Sequence, residues 1–183
     1  MGIMDSQFYK LKIELIEIEP EIWRRFVVPA DIYLDQLHYV IQKVMGWDDA
    51  HLYLFTIQRK EYPGNPFEED HESFNAQDYQ LNDLVRRKGA KIYYLYDYGD
   101  RWEHELVVEN SRYVNTDLDQ LYFCLDGKRA CPREDIGGWW EYVEYCRMLN
   151  DPKLKAKEEE YLGTTLDFDP EHFDLEEINS RLK

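Results

Sequence analysis

The chain has 183 residues, 44% hydrophobic and 15% aromatic, enough for one domain with a substantial core and too apolar for a disordered segment. Acidic residues outnumber basic ones 38 to 22, a net charge of −16, so the long-range field opposes phosphate backbones and direct nucleic-acid binding is not expected. Three cysteines without a leading export signal point to a reducing compartment, and no apolar run approaches the roughly 20 residues that span a bilayer, so no membrane role is expected and the cytoplasm is the expected location.

Tyr9, Leu11, Ile13 and Leu15 alternate with Lys10, Lys12 and Glu14, the period of a strand with one wet face. Glu19-Pro20-Glu21 interrupts the pattern, and Ile22 to Val28 resumes it as the second arm of an antiparallel hairpin. Leu34, Leu37, Ile41 and Val44 then recur at helical spacing, and Gly46 supplies a C-terminal cap. His38 sits at the side of that stripe and reads as a hydrogen-bonded boundary residue. Trp47 to His51 turns the chain into a strand over Leu52–Ile57; His51, beside Asp48 and Asp49, reads as a turn histidine in solvent.

Residues 60–79 carry Pro63, Gly64, Asn65, Pro66 and the acids Glu68-Glu69-Asp70, turn chemistry that predicts a mobile loop, with His71 unremarkable within it. Leu81, Leu84 and Val85 predict a short helix closed by Lys88-Gly89. A central hairpin follows over Tyr93–Glu109, then a polar connection from Asn110 to Asp119 and a strand at Tyr122-Phe123-Cys124. The loop Cys131–Gly138 feeds a helix whose Trp139, Tyr142, Val143, Cys146 and Leu149 share a face. Pro152 ends it, and helical segments over Lys153–Tyr161 and Asp174–Leu182 close the chain. Arg24-Arg25, Arg59-Lys60 and Arg86-Arg87-Lys88 read as exposed ends of elements. The pattern predicts a single α+β domain on a mixed or mainly antiparallel sheet with hairpins and several packing helices. Its core covers roughly 8–150, with a helical C-terminal extension over 151–183.

The central hairpin and the Cys131–Gly138 loop hold the unusual polar residues. Trp102, His104, Leu106 and Val108 share the inward face of the second arm, while Glu103, Glu105 and Glu109 face water. Asp97 and Asp100 bracket Tyr98-Gly99, with Gly99 suited to a positive-φ turn position. Both turn and loop are acidic, glycine-containing and flanked by tryptophan, so they are expected side by side.

Three readings stand at this point. In the plainest, Asp97 caps the turn, Asp100 pairs with Arg101 or Arg133, and His104 is a satisfied core residue. In the second, Tyr96, Trp102 and Trp139-Trp140 wall a cleft whose acids select a cationic or amide-bearing partner. In the third, Asp97, Asp100, His104, Glu134 and Asp135 serve a metal-dependent hydrolase. No HExxH, P-loop, GxGxxG or GxSxG pattern is present. Cys124 and Cys131 are spaced too widely for an ordinary structural zinc pair.

The order LKIEL, IWRRFVVP, LDQLHYVIQKVMGW, YDYGDRWEHELVVE and GKRACPREDIGGWWEY resembles the plasmid pRiA ORF-three-like family from about Phe8 to Leu149. The resemblance implies passage on plasmids and insertion elements but no established activity. Arg133 stands where the family's loop has a second proline, Ile136 where a cysteine is frequent, and Glu141 near a usual glycine, which weighs against a metal there.

The expected function is a non-catalytic binding or accessory module with a protein partner and no cofactor or metal. The candidate binding site is Asp97, Asp100, Trp102, His104, Glu134, Asp135 and Trp139. His104→Ala is expected to cost roughly 1–3 kcal/mol, and Asp100→Ala, at an exposed tip, within about half a kcal/mol.

Overall fold

The computed structural model describes residues 7–65, 74–115 and 120–183. Strands β1 (Phe8–Leu15) and β2 (Trp23–Pro29) form the first hairpin, and α1 (Leu34–Met45) follows with Gly46 in the left-handed conformation at its end. Next come β3 (Tyr53–Ile57), β4 (Lys60–Pro63), one 3-10 turn at Ala76–Asp78 and α2 (Leu81–Leu84). The central hairpin is β5 (Lys91–Tyr96) and β6 (Trp102–Tyr113), followed by β7 (Phe123–Lys128). Helices α3 (Gly138–Asn150), α4 (Pro152–Leu162) and α5 (Leu175–Ser180) complete the chain.

The strands form one sheet in the order β4-β3-β5-β6-β1-β2-β7, and each neighbouring pair is antiparallel. The fold is therefore α+β, with the antiparallel alternative realised. One sheet face carries ion pairs such as Arg25–Glu109 and Lys91–Glu105. The other buries Leu11, Ile13, Phe26, Phe55, Ile92, Tyr94 and Leu106 with the apolar stripe of α1.

Two expectations about loops change. The start of the 60–79 segment is a strand, because Tyr62 turns inward against Phe55 in the β3–β4 pairing. The part carrying Glu68-Glu69-Asp70 and His71 lies outside the described residues. Strand β6 also runs four residues past Glu109, since Tyr113 pairs with Phe8 across a bulge.

Arg24 is not at an exposed strand end. It shares strand parity with Phe26 and Val28, so its side chain enters the core and is 3% exposed. Its guanidinium donates to the carbonyls of Val44, Trp23, Lys128 and Arg129 and to Cys131 Sγ. The C-terminal segment is tied to this region: Phe173 stacks on Arg24, and Glu171 accepts from Arg129 Nε. The Asn179 side-chain amide accepts from Cys124 N and donates to Cys124 O on the last strand.

His38 is more deeply placed than a boundary residue, 4% exposed and stacked on Tyr53 at 3.6 Å. Its Nε2 donates to Asp49 Oδ1 and its Nδ1 accepts from the Tyr94 hydroxyl, which also accepts from Gln42. Gln42 Oε1 takes the Asp49 N–H, closing the network and fixing the turn after α1. Burial lowers the His38 pKa, with Asp49 opposing. The ring is neutral in this network, as the carboxylate and the hydroxyl require only one ring hydrogen.

Candidate functional site

Turn and loop do lie side by side. Asp100 Oδ2 accepts the Gly137 N–H at 2.9 Å, and a Cβ on Gly138 would stand 2.7 Å from the Asp100 carbonyl oxygen. Gly138 has φ +86°, a conformation that glycine adopts without strain, and this allows the backbones to meet. Asp100 thus pairs with neither Arg101 nor Arg133, which bond to Glu103 and Asp167. It joins the hairpin to the loop, a tie that Asp100→Ala would remove.

Within the turn, Asp97 Oδ1 accepts the Gly99 N–H, as the capping reading expects. Positive φ falls on Asp97 and Arg101 instead of Gly99, because the turn is closed by Arg101 N–H on the Asp97 carbonyl.

Trp102 and His104 do not line a cleft. They are 1% and 0% exposed, packed around Trp47 beneath the tip. His104 Nδ1 faces the Tyr94 carbonyl, which can only accept, so that nitrogen carries the hydrogen. Burial pushes its pKa down to about 3. A histidine that cannot charge when folded makes stability depend on acid. Below the unfolded value of about 6.5 the unfolded chain takes up a proton that the folded chain refuses. Stability is therefore whole above that pH and falls as pH drops toward 3. Denaturant midpoints at pH 7.5 and pH 5 should show that decline in the wild type and a smaller one in His104→Gln. Equal declines would remove His104 as its source.

The Tyr96 ring is likewise buried, but its hydroxyl reaches the site. It donates to Glu134 Oε1 at 2.9 Å and accepts the Ala50 N–H at 3.0 Å. Burial first, then Glu134, raises its pKa. Glu134 Oε1 also accepts the Asp48 N–H. One phenol and one carboxylate thereby hold together the turn after α1, the end of β5 and the loop before α3. Trp47 Nε1, bonded to the Pro132 carbonyl, adds a second anchor.

That arrangement brings in a residue the sequence reading left in solvent. His51 Nε2 lies 3.1 Å from Asp135 Oδ1, 3.6 Å from Glu134 Oε2 and 3.7 Å from Asp97 Oδ2. Neither His51 Nε2 nor Glu134 Oε2, both enclosed, has a hydrogen-bond partner among the described residues. Asp48 and Asp49, the sequence neighbours, are not its partners. The carboxylates that approach it are 46, 83 and 84 positions away, beyond any local pattern. Trp139, one residue past Gly138, is 37% exposed, and Trp140 is 57% exposed. These two supply surface beside the loop; Trp102 does not.

The ligand-capable atoms of His51, Asp97 and Asp135 lie within 4.8 Å of one another. Donors about 2.0–2.2 Å from a divalent ion stand roughly 3.0–3.6 Å apart at tetrahedral or octahedral angles. Of the separations of His51 Nε2 from the two aspartates, 3.1 Å falls in that range and 3.7 Å just above it. His104 has no part in this set.

Residues 7–177 match the family model described as plasmid pRiA4b ORF-3-like protein. A curated relative, the uncharacterized protein y4hQ of Sinorhizobium fredii (strain NBRC 101917 / NGR234), is 37% identical over 181 residues, covering 96% of this chain and 91% of that protein. The crystal structure of the protein of unknown function MM3350 from Methanosarcina mazei Go1 superposes with a TM-score of 0.79 at 31% identity. That match covers 93% of this chain and 96% of the other.

Proposed function

We propose, for a chain that belongs to the plasmid pRiA4b ORF-3-like protein family, a non-catalytic binding role in which the hairpin tip takes one divalent cation. His51, Asp97 and Asp135 are its ligands, and Glu134 turns its free oxygen toward the same place. The carrying observation is that three carboxylates face one histidine nitrogen and no Lys or Arg pairs with any of them among the described residues. Converging carboxylates with one imidazole suit a borderline ion such as Mn²⁺ or Zn²⁺. The ion joins the turn after α1, the β5–β6 turn and the loop before α3, and fixes the surface that presents Trp139 and Trp140 to a protein partner. Among the described residues no helix is long and apolar enough to cross a membrane. A cytoplasmic accessory role for plasmid-borne machinery fits the family's name.

A hydrolytic reading needs a group to take the proton of an ion-bound water. His104, one of the five residues in the hydrolase reading, is buried and uncharged, His51 is itself a ligand, and Glu134 is already engaged by Tyr96 and the Asp48 N–H. Titration calorimetry with MnCl₂ and ZnCl₂ should give one site per chain, weakened at least tenfold in His51→Ala and in Asp135→Asn. p-Nitrophenyl phosphate should remain intact in the presence of either ion. Absence of binding, or binding untouched by both substitutions, would sink the metal reading; turnover would sink the non-catalytic one.

A further inference from the structure

The basic segment Arg86-Arg87-Lys88 lies at the other end of β5 from the acidic tip. Gln58, in the turn between β3 and β4, donates to the Leu84 carbonyl at the end of α2. This ties the β3–β4 turn to the segment that carries Arg86, Arg87 and Lys88. A groove of about 560 Å³ opens there, lined by Gln58, Arg86, Arg87, Gly89 and Lys91 above an apolar floor that includes Leu84 and Ala90. Among the described residues its one acidic wall residue is Asp83.

Lys91 is paired with Glu105, but the other groove cations are largely unpaired. Arg87 and Lys88 have no ion pair among the described residues, and Arg86 meets Asp83 only at 3.7 Å. Arg86 Nε donates to the Asn82 carbonyl, and Lys91 to Glu105, contacts that orient those two side chains at the groove. The backbone N–H groups of Arg86, Arg87 and Lys88 have no acceptor among the described residues, while Gly89 N–H is used by Val108 O. Successive free amides beside guanidinium groups are the chemistry of a phosphate site.

Net charge does not forbid it. The six residues of β5 separate this groove from the acidic tip by about 17–20 Å, more than twice the Debye length of about 8 Å at physiological salt. A ligand in the groove therefore meets local positive charge. A duplex, charged along its whole length, still meets the net negative field before it arrives.

We infer that the groove between the β3–β4 turn and the Arg86–Lys91 segment binds a single phosphate monoester, as a free small molecule or as a phosphorylated side chain of a partner. The inference is independent of the cation site, since no residue is shared.

The test is calorimetric titration of the full chain with inorganic phosphate, adenosine monophosphate and a phosphoserine peptide, each with its unphosphorylated counterpart where one exists. The expected result is binding only by phosphate-bearing probes, with the preferred probe naming the source. The Arg86→Ser/Arg87→Ser double variant should lose at least tenfold in affinity, and Arg112→Ser, a cation elsewhere on the surface, should not. These side chains are exposed, so the variants keep the wild-type circular dichroism. Failure of all three probes at millimolar concentration overturns the proposal. So does binding that survives the double substitution, or preference for duplex DNA over the small probes.

Discussion

Replacing Arg24 by methionine is expected to lower the unfolding free energy by about 3–5 kcal/mol. Methionine occupies a similar length but donates nothing. Four carbonyls, from Trp23, Val44, Lys128 and Arg129, would then lose a charged donor in an enclosed region. Each hydrogen bond to a charged group is worth about 1.5–3 kcal/mol, and water can recover only some of them. The charge itself was costly to bury, which is why the net figure stays well below the sum. Arg24 also joins the end of α1, the end of β7 and the start of the acidic loop, so the loss should be cooperative. Urea denaturation measures it directly. A cost under about 1 kcal/mol would mean that water replaces the guanidinium and that the junction is looser than drawn.

Gly138→Ala is the second large effect, roughly 2–4 kcal/mol. The left-handed conformation alone costs a non-glycine residue about 1 kcal/mol or more. The added carbon would then meet the Asp100 carbonyl oxygen at 2.7 Å, a backbone atom that cannot rotate away. Relief requires the loop before α3 to withdraw from the hairpin tip, pulling Asp135 from His51. Affinity for Mn²⁺ should therefore fall with stability. Gly163→Ala offers the control: its φ is +67° but nothing lies within 4 Å, so it should show the conformational part alone. If both alanine variants lose the same amount, the contact with Asp100 is not what fixes Gly138.

The strands and helices were legible where periodicity is strong. Tyr9 to Leu15, Leu34 to Val44 and Trp102 to Val108 each show one repeat over several residues, and burial follows it. Arg24 was legible too, but by the wrong rule. Its type suggests solvent, while its parity with Ile22, Phe26 and Val28 places it inside, and parity decides in a strand buried on one face. The juxtaposition of hairpin tip and loop could be expected from shared composition. The identity of the histidine between them could not. His104 sits in the conspicuous motif yet faces the core, whereas His51 sits in an ordinary turn. Only the sheet order, with β3 beside β5, carries it to Asp97. Strand β4 escaped notice because Tyr62 is its one fully buried residue, too little pattern to detect.

The Asn179 amide on Cys124 has a consequence for how copies of this chain behave in company. The outer rim of a terminal strand is a template on which another molecule's backbone can zip. Here a side chain borrowed from α5 mimics one peptide unit and fills a rung near the start of that rim. Helix α5 thus blocks one rung of this edge against pairing with another strand. A chain cut short before α5 would expose that rung and turn a finished edge into an adhesive one.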